Sequence, residues 1–218
     1  MSKWLTFSIV ALISAILFSQ QNAVAQDQFV EGKDYVVINT PVRTADPSKI
    51  EITEVFWYGC PHCNQFRPVF EQWKNQQADD VKADHSPAMW SKNMVTHARI
   101  YYTAKVLGKQ KEMHKDIFDA MHSQRKKLLN PKEIYPLFAK HGISQEKFDK
   151  TFKSFGVNSL VQQADARARS FGITGTPEVI INGKYRTSAS LTGSQVKMLK
   201  VADYLIEKER AAIPAKSS

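Results

Sequence analysis

The chain has 218 residues and an ordinary 43% hydrophobic content, which suits one compact domain, or one domain with an insertion, around a real core. Its 30 Lys and Arg against 21 Asp and Glu give a formal +9, but the densest basic run is only Arg125-Lys126-Lys127, so the charge reads as a solvated surface and not as a nucleic-acid interface. Two cysteines exclude a multiply bridged secreted scaffold.

Lys3, the apolar run Trp4 to Phe18 (broken by Thr6, Ser8 and Ser14) and Ala23-Val24-Ala25 together predict a secretory signal peptide over 1–25, cut after Ala25. The run is shorter than the roughly 20 residues that span a bilayer, and no later apolar stretch is long enough to span. The chain from Gln26 onward is therefore expected to be exported.

Tyr35-Val36-Val37-Ile38 predicts a short strand, and Ile50 to Tyr58, rich in Ile, Val and aromatics, a central one. Cys60 then opens a helix, with Pro61 suited to its first position and Pro68 expected to kink it. Val81 to Asp84 predicts another strand. From Ser91 to Phe155 the pattern is helical: His97, Ile100, Tyr101 and Ala104 share a face, as do His114, Ile117, Phe118, Met121 and His122. Asn130-Pro131-Lys132-Glu133 resembles a capped helix start, and Phe148, Phe152 and Phe155 form a further apolar stripe. The β signal returns at Glu178-Val179-Ile180-Ile181. Asn182-Gly183 predicts a two-residue hairpin turn, followed by a return strand over Lys184 to Thr187. A last helix runs from Gly193 to Ala211, with Thr192 and Gln195 as a capping box and Val196, Leu199, Ala202, Leu205 and Ile206 facing inward. This order describes an α/β unit into which a block of helices is inserted.

The chemistry centres on Cys60-Pro61-His62-Cys63. One cysteine pair closing so short a loop is a poor staple, because little loop entropy is removed, and it suits a reactive dithiol better. At a helix N-cap the free N–H groups and the helix dipole favour the Cys60 thiolate, so its pKa should fall well below that of a free cysteine. His62 is expected to add a charge or hydrogen bond there, unless it is simply a surface histidine. Stabilising the thiolate stabilises the reduced protein, which makes the disulfide a better oxidant. Cys63, one turn further in, should be more buried and act as the resolving or leaving sulfur.

In an Ile50–Tyr58 strand, Glu54 alternates with Ile52 and Phe56. A carboxylate in apolar surroundings would have a raised pKa and could relay protons to Cys63. The opposite face carries Glu51, Thr53, Val55 and Trp57, so periodicity alone leaves the core face open. Structural zinc needs about four ligands. No second cysteine pair exists, and the remaining histidines, which read as surface or half-buried residues, show no ligand spacing around Cys63. Asn64 stands where covalent haem attachment would need a histidine.

With these residues in hand, the chain resembles the thioredoxin superfamily and, within it, the DsbA family of bacterial periplasmic thiol:disulfide oxidoreductases. Cys60-Pro61-His62-Cys63 matches that family's redox motif, Gly175-Thr176-Pro177 its cis-proline loop, and Glu54 its buried acid; His85 stands where some members have a lysine near that acid. The resemblance implies a thioredoxin-like fold with an inserted all-helical domain, divided as 26–90 and 160–218 for the thioredoxin-like parts and 91–159 for the insertion. It implies a periplasmic disulfide donor, with Thr176 and Pro177 binding substrate and newly exported or unfolded cysteine-containing proteins as clients. It further implies a DsbB-type inner-membrane quinone reductase as reoxidant, no organic cofactor or metal, and a monomer. Thr176 in place of a more common valine, and Pro68 within the active helix, depart from the best-known members.

Two other readings compete. A reductase or isomerase of the same superfamily would use the same cysteines, although DsbC-like isomerases carry an N-terminal dimerisation domain for which few residues precede Cys60. A thiol-independent peptide-binding holdase would use an apolar groove near Pro177.

Overall fold

A computed structural model describes residues 29–212. The expected signal peptide, 1–25, lies outside the described residues. The elements are β1 (Val36–Val37), β2 (Ile50–Phe56), α1 (Pro61–Lys74), β3 (Val81–Pro87), α2 (Lys92–Val106), α3 (Gln110–His122), α4 (Pro131–Lys140), α5 (Gln145–Phe152), α6 (Phe155–Ser170), β4 (Glu178–Ile181), β5 (Tyr185–Ser188), α7 (Ala189–Thr192) and α8 (Gln195–Ala212). The five helices α2 to α6 lie between β3 and β4, as the inserted block requires. α6 runs unbroken across 159/160, where a domain boundary was expected.

The five strands pair in the order β1-β5-β4-β2-β3. β2 runs parallel to β3 and antiparallel to β4. All seven residues of β2 are buried, because both of its faces are covered. On one face Ile50 and Ile52 pack with Phe66, Phe70 and Trp73 of α1 and with Leu199, Leu205 and Ile206 of α8. On the other, Val55 and Ile180 meet Met94 and Phe171. Phe56, Tyr58 and both cysteines join the core of the helical block, against Tyr101, Ile117 and Phe118. The redox motif therefore sits where sheet and helical block meet.

Several local expectations need correction. Asn182 and Gly183 both have positive φ, and Lys184 N donates to Ile181 O at 2.9 Å, as in a tight turn. The ladder, however, pairs Ile181 with Tyr185, so Lys184 is an extra loop residue. Gly183 is needed there, since a Cβ would overlap the Val42 carbonyl. The last helix is capped by Ser194, whose Oγ accepts from Lys197 N. Thr192 instead donates its hydroxyl to Ser188 O and Ser194 O, and Gln195 reaches away to the redox motif. Phe148 and Phe152 are core residues, but Phe155 is 85% exposed because Ser154 starts a new helix there and turns the face outward. Val196 is likewise exposed, and Met198 and Val201 fill the inward stripe. At the start of α4, Asn130 caps Glu133 as expected, while Glu133 folds back onto Leu129 N.

Candidate active site

Cys60 is the N-cap of α1, with extended backbone at φ −87° and ψ 117°, and Pro61 follows in the first turn. The turn before it is held by Cys60 N donating to Trp57 O at 3.0 Å. Gly59 cannot be replaced there without cost, because a Cβ would overlap the Trp57 ring. That ring is fixed in turn by its Nε1–H, which donates to His97 Nδ1 at 2.9 Å. The indole can only donate, so His97 carries its proton on Nε2 and gives it to Lys127 O, also at 2.9 Å.

Both cysteines are free thiols. Cys60 keeps 8% of its surface exposed and Cys63 none. A hydrogen bond from the Cys63 thiol is the first cause lowering the Cys60 pKa. Burial opposes it; the Thr176 side chain and the backbone N–H groups of Cys63 and His62 reinforce it, and the result is a pKa of about 5. Cys63 is pushed far above the ordinary thiol range, by burial first, then by the hydrogen bond it gives to Cys60 and by the charge of Glu54. One sulfur is a ready thiolate at neutral pH and the other is held as a thiol.

The expected role of His62 is corrected in part. Its imidazole is exposed, and the group it turns on Cys60 is the backbone N–H. Its carbonyl accepts from Gln195 Nε2 at 2.8 Å, tying α8 to the redox turn.

Thr176 and Pro177 come to the same place from the far end of the chain. The peptide bond between them is cis, and the Cys60 thiol donates to Thr176 O at 3.3 Å. The loop is pinned from behind by Glu178, a buried carboxylate whose Oε1 accepts from Gly175 N at 2.9 Å and Thr174 N at 3.0 Å while Arg186 pairs with it at 3.1 Å. A cleft of about 450 Å³ opens beside the loop, lined by His62, Gln65, Thr176, Pro177, Ser190 and Gln195 among others.

Glu54 is buried, at 1% exposed. Its surroundings differ from the apolar ones expected: it faces His85 directly across the parallel β2–β3 register, and His85 Nδ1 lies 2.6 Å from Glu54 Oε2. The other nitrogen, Nε2, is 2.7 Å from Glu71 Oε1 on α1. Burial pulls the His85 pKa down, but the hydrogen bonds to Glu54 and Glu71 outweigh it and hold the pKa at about 9. His85, His97 and His114 are thus buried, hydrogen-bonded residues, where the sequence suggested surface or half-buried ones. His114 Nδ1 is 3.0 Å from Tyr58 Oη, and His122 Nε2 is 2.8 Å from Tyr58 O.

Sequence reasoning missed Glu71, and it read Glu178 only as a strand residue and Gln195 only as part of a capping box. Glu71 and Gln195 act on segments brought near only by the fold, so no spacing marks them; Glu178 acts on Thr174 and Gly175, four and three residues before it. Among the described residues no group of three His, Cys, Asp or Glu is arranged to hold a metal, and no helix is long and apolar enough to cross a membrane.

Comparison with known proteins gives a consistent result. Residues 80–202 match the family model described as a DSBA-like thioredoxin domain. The thiol:disulfide interchange protein DsbA of Pseudomonas aeruginosa is 38% identical over 201 residues, 92% of this chain and 94% of that protein. The DsbA of Azotobacter vinelandii is 40% identical over 181 residues, 83% and 85% of the two. The crystal structure of Pseudomonas aeruginosa DsbA superposes with a TM-score of 0.81 at 38% identity, covering 85% of this chain and 97% of that one. NmDsbA1 from Neisseria meningitidis gives 0.75 at 27% identity, covering 87% and 98%. The fold is therefore the thioredoxin-like α/β arrangement with a helical insertion that the sequence led one to expect.

Proposed function

We infer that this chain, which belongs to the DsbA-like thioredoxin family, is a protein thiol:disulfide oxidoreductase that donates its Cys60–Cys63 disulfide to other proteins. The observation that carries the direction of transfer is the opposed pair of thiol titrations. A Cys60 thiolate held at a pKa of about 5 is a good leaving group and stabilises the reduced protein. A substrate thiolate attacks Cys60, the bond to Cys63 breaks, and a mixed disulfide forms. The second substrate cysteine then attacks its own sulfur and expels Cys60 as a thiolate. In this reading Cys60 is the sulfur that the substrate attacks and the thiolate that leaves in the second step, and Cys63 is the leaving sulfur of the first step and the resolving sulfur of the reverse one. Pro61 and the His62 N–H shape the helix start, and Glu54 serves as proton relay.

Thr176 and Pro177 form the substrate-binding edge. The Thr176 backbone lies against Cys60, so an extended peptide docked along it, as in strand addition, would bring a cysteine to the exposed side of the sulfur. The neighbouring cleft is lined largely by small and polar side chains. That lining suits backbone recognition of varied sequences and disfavours the holdase reading, which needs an apolar groove. The clients in this proposal are newly exported or unfolded proteins with paired cysteines, met in the periplasm by a monomer. A DsbB-type quinone reductase in the inner membrane would return the pair to the disulfide, and the helical segment between β3 and β4 is read as an insertion into the thioredoxin-like unit.

The deciding experiment is the reduction potential of the pair, by equilibration against glutathione. A value well above that of the glutathione pool is expected. A value as reducing as thioredoxin's, about −270 mV, would turn the reading towards a reductase.

A further inference from the structure

Tyr58 and His114 are both buried, and Tyr58 Oη lies 3.0 Å from His114 Nδ1. Among the described residues nothing else bonds that phenol, so its proton goes to Nδ1. Burial, then the charges of His85, Arg67 and Lys74, push the His114 pKa well down, and the ring is neutral at neutral pH. A neutral imidazole that accepts at Nδ1 carries its hydrogen on Nε2. His114 Nε2 is therefore a donor, in a residue only 4% exposed, and it has no protein partner.

Arg67 Nε is a second buried donor without a partner, and among the described residues these are the two such side-chain atoms. Both residues line one cavity of about 150 Å³ between α1 and α3. Leaving a buried N–H unbonded is costly, and most such groups are satisfied. Two in one cavity point to something that accepts from both.

The charge of the lining is one-sided. Arg67, Lys74, Lys111, Lys115 and the protonated His85 face a single carboxylate, Glu71. Glu71 is already engaged: its Oε1 accepts from His85 Nε2 at 2.7 Å and lies 4.0 Å from Lys74 Nζ. Lys115 has Asp119 as its partner. Arg67 lies over the Phe118 ring at 6.0 Å, and Lys111 acts on Glu71 only through its charge; among the described residues neither forms an ion pair. The start of α3 adds to this positive wall. Gln110 and Lys111 of its first turn line the cavity, and Lys109 at the N-cap gives that turn no side-chain acceptor, so the positive end of the helix dipole is left uncapped. Glu112, the acidic residue of the turn, lies outside the lining and is held by Lys109 at 2.9 Å.

We propose that this cavity is a binding site for a small tetrahedral oxyanion, sulfate or phosphate, held by Arg67, His114 and Lys111 at the start of α3. The oxygens of such an ion accept from both buried N–H groups at once, and its double charge offsets the cationic wall. Water alone would satisfy the two donors and leave that charge unopposed. The volume admits the bare ion and excludes a nucleotide. Neither Glu54 nor Cys63 lines the cavity, so the site is separate from thiol exchange and does not depend on the disulfide-donor reading.

The test is a titration of the full chain with sulfate at neutral pH, where that ion keeps its double charge, with chloride holding the ionic strength constant. The readout is the NMR signal of the His114 Nε2–H. A saturable shift is expected, which chloride does not reproduce. Arg67→Met removes one buried donor and its charge, and should weaken binding by about tenfold or more, the usual consequence of losing a charge-assisted hydrogen bond. Lys111 is exposed, so Lys111→Ala should fold, as far-UV circular dichroism will check, and should weaken binding several-fold. Lys132→Ala, outside the lining, should bind as wild type does. Inorganic phosphate should displace sulfate, whereas glycerol 3-phosphate should compete at least about tenfold more weakly. Equal competition by glycerol 3-phosphate would overturn the assignment to a free ion and give the site to the phosphate of a larger molecule. A shift that never saturates, one that chloride reproduces, or equal affinity in wild type, Arg67→Met and Lys111→Ala would overturn the site and leave the cavity to water.

Discussion

The Cys60 sulfur lies 3.3 Å from the carbonyl oxygen of Thr176, 116 residues further along the chain. Thr176 meets the sulfur with two chemically opposite groups. Its carbonyl accepts a hydrogen bond from the thiol, while its side chain hydrogen-bonds in a way that lowers the Cys60 pKa. The residue can therefore satisfy either protonation state of Cys60, and the balance between them is set partly by one hydroxyl.

Thr176→Val removes that hydroxyl and keeps the branched shape. A hydrogen bond to a charged group is worth about 1.5–3 kcal/mol, and a pKa unit is about 1.4 kcal/mol. The Cys60 pKa should rise by about one unit, the reduced form should lose stability relative to the disulfide, and the potential should become more reducing by about 30 mV. Thiolate absorbance at 240 nm and glutathione equilibration measure the two effects. An unchanged thiolate titration would mean that the backbone N–H groups and the Cys63 thiol hold the charge alone.

The same titration sets a pH dependence of stability. Cys60 falls from its ordinary value of 9.0 to about 5 in the folded, reduced chain. A group with a depressed folded pKa stabilises fully above its unfolded value, loses that contribution as pH falls, and has none below the folded value. The oxidised chain has neither thiol. Cys63, whose folded pKa is raised, remains a thiol in the folded chain and largely so in the unfolded chain below its ordinary value of 9.0, so it adds little over this range. The remaining titrating groups are common to both forms and largely cancel in the difference. The reduced protein should therefore resist urea better than the oxidised protein near pH 8, with the gap closing towards pH 5. Urea midpoints of both forms across this range test it, and a gap that stays constant would contradict the thiolate argument.

Cys63 should differ from Cys60 in kind. Its thiol is buried and its pKa raised, so in Cys60→Ala it should react with iodoacetamide at pH 7 at least ~100-fold more slowly than Cys60 does in Cys63→Ala, since only the thiolate is nucleophilic. In cell extracts Cys63→Ala should accumulate mixed disulfides through Cys60, because the sulfur that would release them is gone. Comparable alkylation rates, or no trapped species, would remove the assigned division of labour.

What could be read in the sequence was what local chemistry dictates. Cys60 at the N-cap, Pro61 after it and the Glu178–Ile181 strand follow from residues near one another in the chain. Glu54 was legible as an odd carboxylate in a hydrophobic strand, but its partner was not, because His85 is reached only through the β2–β3 register. Glu178 looked like the first residue of a strand and proved to be the pin of the Thr174–Pro177 loop. Phe155 and Val196 fitted helical stripes, yet a new helix start and a shifted inward face put both outside. For Glu54 the deciding contact joins segments far apart in sequence, where spacing carries no signal; for Glu178 and Phe155 it is local, but it depends on a loop conformation and a helix start that residue pattern alone does not mark.

His97 is the clearest of these long-range contacts and gives a stability prediction. Its ring accepts from Trp57 Nε1 and donates to Lys127 O, each at 2.9 Å. The first bond fixes the indole that packs on Gly59, directly before Cys60. The second anchors the α3–α4 loop, which holds Arg125 and Leu128 at positive φ. His97→Ala leaves a donor and an acceptor without their partner and opens space beside the indole. Losing a buried partner costs about 1–3 kcal/mol, so a loss of roughly 2–3 kcal/mol in urea unfolding is expected. His97→Gln, which can still accept from the indole, should recover part of it. A loss under about 1 kcal/mol for the alanine variant would mean that water replaces the imidazole and that the Trp57 ring needs no such brace.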